Sequence, residues 1–149
     1  MARSHGATLV SCTAPLIVSV PAMLVRLGLL ALAATQFALA AWMIFDPGSF
    51  HTHLGDFGAR NDHYLRDIAT WELAFGLAAL VAVARESWRL PVLAIAAVQF
   101  ILHTINHIAD ADLARGDTSG VQDAVSLGVG AVVFTALAWL AAREARVPA

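Results

Sequence analysis

Four long apolar stretches dominate the sequence, at about residues 24–45, 63–84, 90–109 and 121–142. Each has the length of about 20 residues that an α-helix needs to cross the roughly 30 Å hydrocarbon core of a bilayer. Short polar connections separate the stretches, and helices with short connections pack as antiparallel neighbours. The sequence therefore predicts an all-α fold, an integral membrane four-helix up-down bundle, whose main partner is the lipid bilayer.

The overall composition agrees with a membrane protein, since 59% of the 149 residues are hydrophobic and only 13% are charged. Soluble domains average about 45–50% apolar and about 25% charged residues, so a soluble fold of this length could not bury the excess. The net charge of −2 argues against a nucleic-acid partner, because no basic surface exists to neutralise phosphates. The single cysteine, Cys12, excludes an internal disulfide framework.

The chain divides into two parts near Met23. Residues 1–22 contain an apolar run that Pro15 and Pro21 interrupt, and the run is too short to span a bilayer alone. We interpret these residues as an N-terminal extension or a misassigned start, with a cleaved leader as the alternative. Residues 23–149 form the predicted four-helix domain.

The distribution of arginine predicts the orientation in the membrane. One set of helix ends carries six arginines: Arg3, Arg26, Arg85, Arg89, Arg143 and Arg146. The opposite set carries three: Arg60, Arg66 and Arg115. Cytoplasmic loops are enriched in basic residues, so we expect a multi-pass protein of the cell membrane with both termini in the cytoplasm.

Two pairs of metal-binding side chains lie four residues apart on neighbouring predicted helices. His103 and His107 form one pair, and His63 and Asp67 form the other. Residues i and i+4 share a helix face, and both pairs lie in the outer half of the bundle. Because imidazole and carboxylate groups bind zinc, iron or copper, we hypothesise a metal site made of all four side chains. A metal-bound water near Glu72 or Asp67 would support enzymatic chemistry, but the sequence does not decide whether the chain is an enzyme.

Three alternatives use the same residues. His63 could ligate haem b together with His103 or His107, as in four-helix cytochromes. The polar cluster could only fix helix packing, with Arg66 paired to an aspartate, in an accessory or structural subunit of a membrane complex. The histidines and Glu72 could instead form a relay that translocates protons or solutes, an interpretation that favours a homo-oligomer because four helices alone leave a thin pathway.

A second polar layer is predicted deeper in the bundle. At a rise of 1.5 Å per residue, Gln36, Glu72 and Gln99 all lie roughly 13–15 Å below the outer boundary. A cluster of the three would satisfy polar groups that are costly in lipid. It would act either as an interhelical contact or as a site for a proton or substrate.

The connection at residues 46–62 carries His51 and His53. An H-x-H sequence on an extended turn can chelate a metal, and a solvated loop is the alternative. Three apolar side chains are expected to fold back over the helix ends: Phe50, Leu54 and Phe57.

The second predicted helix begins with the motif N-x-H-x-x-R-D, formed by Asn61, His63, Arg66 and Asp67. With this motif and the histidines of its third helix, the chain resembles a group of small, uncharacterised four-helix integral membrane proteins of actinobacteria. The resemblance covers about residues 23–142, and the segment before Met23 departs from it. It implies the four-helix topology and a role for these positions, and it implies no particular reaction.

Overall fold

The computed structural model describes residues 19–115 and 119–146. Its helices are α1 (Val20–Phe45), α2 (Pro47–His53), α3 (Asp62–Ala84), α4 (Glu86–Ala109) and α5 (Ser119–Glu144). One turn of 3₁₀-helix, Ala111–Leu113, follows α4. The predicted all-α fold with four long helices is therefore confirmed, and the short helix α2 is an addition that the sequence analysis did not predict.

Contacts at the two ends of the bundle define its antiparallel topology. At one end, Ser19 before α1 donates a hydrogen bond of 3.5 Å to Glu144 at the end of α5. At the other end, Arg115 after α4 donates a hydrogen bond of 3.0 Å to the carbonyl oxygen of Gly58 before α3. We call these the termini end and the loop end. Successive long helices therefore run in opposite directions, as predicted.

All four long helices are long and apolar enough to cross a membrane. Their outward side chains are apolar as well, and Ile105, Leu77 and Val132 are all more than half exposed. Large apolar side chains around the whole circumference of a bundle are typical of a surface in contact with lipid. The four candidate spans indicate a multi-pass membrane protein.

Helix α1 begins earlier than predicted because its first turn is capped. The hydroxyl of Ser19 accepts a hydrogen bond of 3.3 Å from the backbone N–H of Ala22. Pro21 lies in this first turn, where a helix tolerates proline because its missing N–H has no intrahelical acceptor. Residues 20–22 are therefore part of helix α1 with Ser19 as its cap, and the rest of the predicted extension, 1–18, lies outside the described residues. The interpretation of residues 1–22 as an extension or a misassigned start stays a prediction.

Helix α4 also begins earlier than predicted, at Glu86 instead of residue 90. Pro91 therefore lies inside the helix, where it has no N–H to donate to the carbonyl of Ser87. The segment predicted as a connection, residues 85–89, is mostly helical. This shift brings Arg89 into the bundle, where it is buried.

The core is formed chiefly by two closely packed helix pairs, α1 with α3 and α4 with α5. Leu29, Leu32 and Leu93 are fully buried within it. The α4–α5 interface is close because Gly130 faces an aromatic ring: a Cβ atom there would lie 2.4 Å from Phe100. The α3–α4 interface is much smaller than either of these pairs, and this difference decides how the polar residues are grouped.

Candidate functional site

His103 and His107 form a pair of imidazoles near the loop end of α4. Their Nε2 atoms are 3.0 Å apart, and their ring centroids are 4.7 Å apart. The other ring nitrogen of His107, Nδ1, is buried and has no hydrogen-bond partner among the described residues. The two Nε2 atoms are therefore close enough either to share one hydrogen bond or to bind one ion together.

His63 and Asp67 form a second, separate pair on α3. The imidazole Nε2 lies 3.4 Å from the Asp67 carboxylate. Both side chains are exposed, at 84% for His63 and 64% for Asp67. The predicted i, i+4 contact exists, but it lies on the surface of the bundle.

The four predicted ligands do not assemble into one site. Within residues 19–115 and 119–146, no three His, Cys, Asp or Glu side chains lie together as a metal-binding group. The physical reason is the packing, because α3 lies mainly against α1, whereas α4 lies mainly against α5. The structure thus brings together His103 with His107 and His63 with Asp67, and whether either pair binds a metal stays a prediction.

The structure also places Asp123 at the loop end, a carboxylate that the sequence analysis did not consider. It lies near the start of α5, within electrostatic range of His107 and of Asp56. Because α4 and α5 are antiparallel, a residue early in α5 lies at the same depth as His107 late in α4. That signal was present in the sequence: Asp123 is the only carboxylate in the first part of the fourth apolar stretch.

The structure corrects the interpretation of His51 and His53. Both lie in helix α2, where positions two residues apart point about 200° from each other. His51 is buried, and its Nε2 has no partner among the described residues. His53 is exposed, and its Nδ1 lies 2.9 Å from the carbonyl oxygen of Ser49. The extended turn that chelation requires is absent from this segment, and so is the fully solvated loop of the alternative.

Two of the three predicted apolar residues cover the ends of the long helices. Phe50 packs edge-on against Trp42 with ring centroids 5.6 Å apart. Phe57 packs against His107 with centroids 4.7 Å apart, which shields one side of the histidine pair. Leu54 is exposed instead.

The deeper polar layer contains two of its three predicted members. The amide Nε2 of Gln36 donates a hydrogen bond to the carboxylate of Glu72, so the contact joins α1 to α3. Gln36 is buried, and Glu72 is half-buried. Gln99 is half-buried on α4 and makes no hydrogen bond with either of them in the part of the chain that the structure describes. The layer is thus an interhelical contact between closely packed helices.

Asn61 of the N-x-H-x-x-R-D motif caps helix α3. Its side-chain oxygen accepts hydrogen bonds from the backbone N–H groups of His63, at 3.1 Å, and Tyr64, at 3.2 Å. Asparagine is one of the residues that helices prefer at this position, because it satisfies N–H groups without an intrahelical acceptor. The first residue of the motif therefore has a structural explanation.

Arg66 makes no ion pair with an aspartate among residues 19–115 and 119–146, in contrast to the prediction. Asp62 is bound instead by Arg60, whose Nη2 donates a hydrogen bond of 2.9 Å to it, and Asp67 faces His63. The hydrogen bond and the charge of Asp62 raise the pKa of Arg60 above its ordinary value. Asp62 therefore pairs with Arg60, two residues before it, and not with Arg66, four residues after it.

No protein-family model, curated protein or solved structure matches the chain. The resemblance to small actinobacterial membrane proteins therefore stays a prediction.

Proposed function

We propose that the chain is a small multi-pass protein of the cell membrane that binds a transition-metal ion at its loop end through His103 and His107. The observation that carries the proposal is the 3.0 Å separation of their Nε2 atoms. Two imidazole nitrogens that bind one ion at about 2.0–2.1 Å are themselves about 3–3.4 Å apart. The separation of the two nitrogens is therefore close to the one that a bidentate site requires.

The charges at the loop end support the binding of a cation. Among the described residues of the loop end, carboxylates outnumber arginines. The carboxylates are Asp46, Asp56, Asp62, Asp67, Asp110, Asp112 and Asp123, and the arginines are Arg60, Arg66 and Arg115. A surface with excess negative charge raises the local concentration of cations. With two imidazoles as the protein ligands, zinc, copper(II) and iron are the expected ions, and water or a substrate group would complete the coordination.

The distribution of arginine also supports the proposed orientation. Arg85, Arg89, Arg143 and Arg146 lie at the termini end. By the positive-inside rule, the termini end faces the cytoplasm and the metal site faces outward. The site would then meet ions from outside the cell.

A structural role is the second candidate, and the contacts of the other polar residues favour it. Gln36 and Glu72 join two helices, and Asn61 caps α3. In that case His103 and His107 share a hydrogen bond and bind no ion. The bundle then serves as an accessory subunit of a membrane complex.

The metal content of the purified protein tests the proposal. The full chain is purified in detergent, and the bound zinc, copper and iron are measured together with the absorption spectrum. The proposal expects one ion per chain in the wild type and in His63→Ala, and a loss of that ion in His103→Ala. Equal metal content in all three proteins would contradict it, and a Soret band would indicate haem b instead.

A further inference from the structure

A cavity of about 760 Å³ opens at the termini end, away from the histidine pair. It lies between the start of α1, the start of α4 and the end of α5. Five side chains give it polar groups, namely Ser19, Glu86, Ser87, Arg89 and Glu144. The remaining wall is mainly apolar and includes Ala22, Leu90 and Pro91.

Arg89 is the unusual member of this cavity, because it is a charged residue that is only 4% exposed. Its Nη1 lies 3.1 Å from the carboxylate of Glu86 and 3.9 Å from that of Glu144. Its Nε and Nη2 are buried and have no hydrogen-bond partner among residues 19–115 and 119–146. Buried N–H groups without acceptors are costly, so these two nitrogens indicate an acceptor that the described residues do not supply.

The chemistry of the unpaired nitrogens indicates an oxyanion, and the depth of the cavity indicates that this oxyanion is a phosphate. A guanidinium presents its N–H groups as a planar fork that matches two oxygens of a phosphate or carboxylate. The cavity lies at the ends of three candidate membrane spans, which is the depth of phospholipid headgroups. A phosphate at this depth belongs to a lipid.

The two carboxylates of the cavity select among lipids. Among the residues that line the cavity, Glu86 and Glu144 carry two negative charges and Arg89 carries one positive charge, so the lining itself favours a headgroup without net negative charge. A headgroup that also carries a primary ammonium would place that group against the carboxylates and donate hydrogen bonds to them. We propose that the cavity at the termini end binds the headgroup of phosphatidylethanolamine, with its phosphate on Arg89 and its ammonium on Glu86 and Glu144.

Thermal unfolding of the full chain in detergent tests this proposal, with lipids added at equal mole fraction. A ligand that binds the folded state raises the midpoint of unfolding. Phosphatidylethanolamine is expected to raise it by several degrees, and phosphatidylglycerol by much less. Soluble phosphoethanolamine at the same concentration is expected to have no effect, because it lacks the acyl chains that hold the headgroup at the cavity. An equal effect of phosphatidylglycerol or of soluble phosphoethanolamine would overturn the proposal.

Variants locate the effect in the cavity. Arg89→Gln is expected to abolish the shift caused by phosphatidylethanolamine, whereas Arg85→Gln, an exposed arginine at the same end, is expected to keep it. A shift that survives in Arg89→Gln would overturn the proposal. Should that variant not fold, Glu144→Gln decides, because removal of a carboxylate is expected to reduce the preference for phosphatidylethanolamine over phosphatidylglycerol. An unchanged preference in Glu144→Gln would count against the site. None of these outcomes depends on whether the loop end binds a metal.

Discussion

The side-chain amide of Gln36 donates a hydrogen bond to the carboxylate of Glu72, and this contact joins α1 to α3. Replacement of Glu72 by alanine leaves the buried amide of Gln36 without its acceptor. We expect Glu72→Ala to lower the free energy of unfolding by about 1–3 kcal/mol, and Glu72→Gln, which keeps an acceptor oxygen, to lower it by less. Equilibrium unfolding in mixed detergent micelles measures both.

Gln99→Ala is the control for this contact, because Gln99 makes no hydrogen bond with Gln36 or Glu72 in the described part of the chain. If Gln99→Ala lowers the free energy of unfolding as much as Glu72→Ala does, the hydrogen bond between Gln36 and Glu72 does not account for the loss in Glu72→Ala.

Two glycines of α5 differ sharply in the space around them. A Cβ atom at Gly130 would lie 2.4 Å from the Phe100 ring, whereas at Gly128 the nearest atom, in Thr104, is 3.7 Å away. We expect Gly130→Ala to destabilise the bundle by about 1–3 kcal/mol, since the ring must move out of a packed interface. Gly128→Ala is expected to be neutral or to stabilise by up to about 1 kcal/mol, because alanine favours the helix.

Thermal unfolding in detergent compares the two glycine variants directly. The double variant Gly130→Ala with Phe100→Leu is expected to recover part of the loss, because leucine is smaller than the aromatic ring. Equal midpoints for the two single variants would show that the α4–α5 interface is not as close as the structure describes.

Phe50 holds α2 against the end of α1 through its edge-on contact with Trp42. We expect Phe50→Ala to loosen α2, because an aromatic pair of this kind contributes about 0.5–1.5 kcal/mol beyond the area that it buries. Amide hydrogen exchange of residues 47–53 measures the change. Phe45→Ala is the control, since Phe45 is 85% exposed. It should leave the exchange of α2 unchanged, and equal acceleration in both variants would exclude the proposed role of Phe50.

Cysteine labelling tests the proposed orientation of the protein in the membrane. In a Cys12→Ser background, we expect Thr52→Cys at the loop end to react with a membrane-impermeant maleimide in intact cells. Ser87→Cys at the termini end should react only after the membrane is opened. Both positions are exposed. The reverse pattern would place the termini outside and would contradict the orientation inferred from arginine.

The four long helices could be predicted because apolar length is a property of each segment by itself. The predicted starting residues of α1 and α4 were less accurate. The start of α1 depends on capping by Ser19, and α4 continues through Pro91 instead of beginning next to it. The burial of Arg89 could not be predicted, because it depends partly on Glu144, which is remote in sequence. Capping and charge pairing between distant segments are decided by packing and not by periodicity.

In the candidate site as well, contacts within one helix could be predicted from the sequence, and contacts between helices could not. The contact between His103 and His107 follows from helical spacing, which places residues i and i+4 on one face, and their role as metal ligands stays a prediction. Its separation from His63 and Asp67 follows from which helices pack closely, α1 with α3 and α4 with α5. A sequence pattern shows which residues share a face of one helix, but it does not show which neighbouring helix that face meets.

A zinc titration of the metal-free protein in detergent tests the central claim most directly. We expect one Zn²⁺ per chain for the wild type, and an affinity lower by at least about 10-fold in both His103→Ala and His107→Ala, since each removes one of two protein ligands. His53→Ala and His63→Ala, which remove exposed histidines elsewhere at the loop end, should bind like the wild type. Unchanged affinity in both His103→Ala and His107→Ala would contradict the proposed metal site.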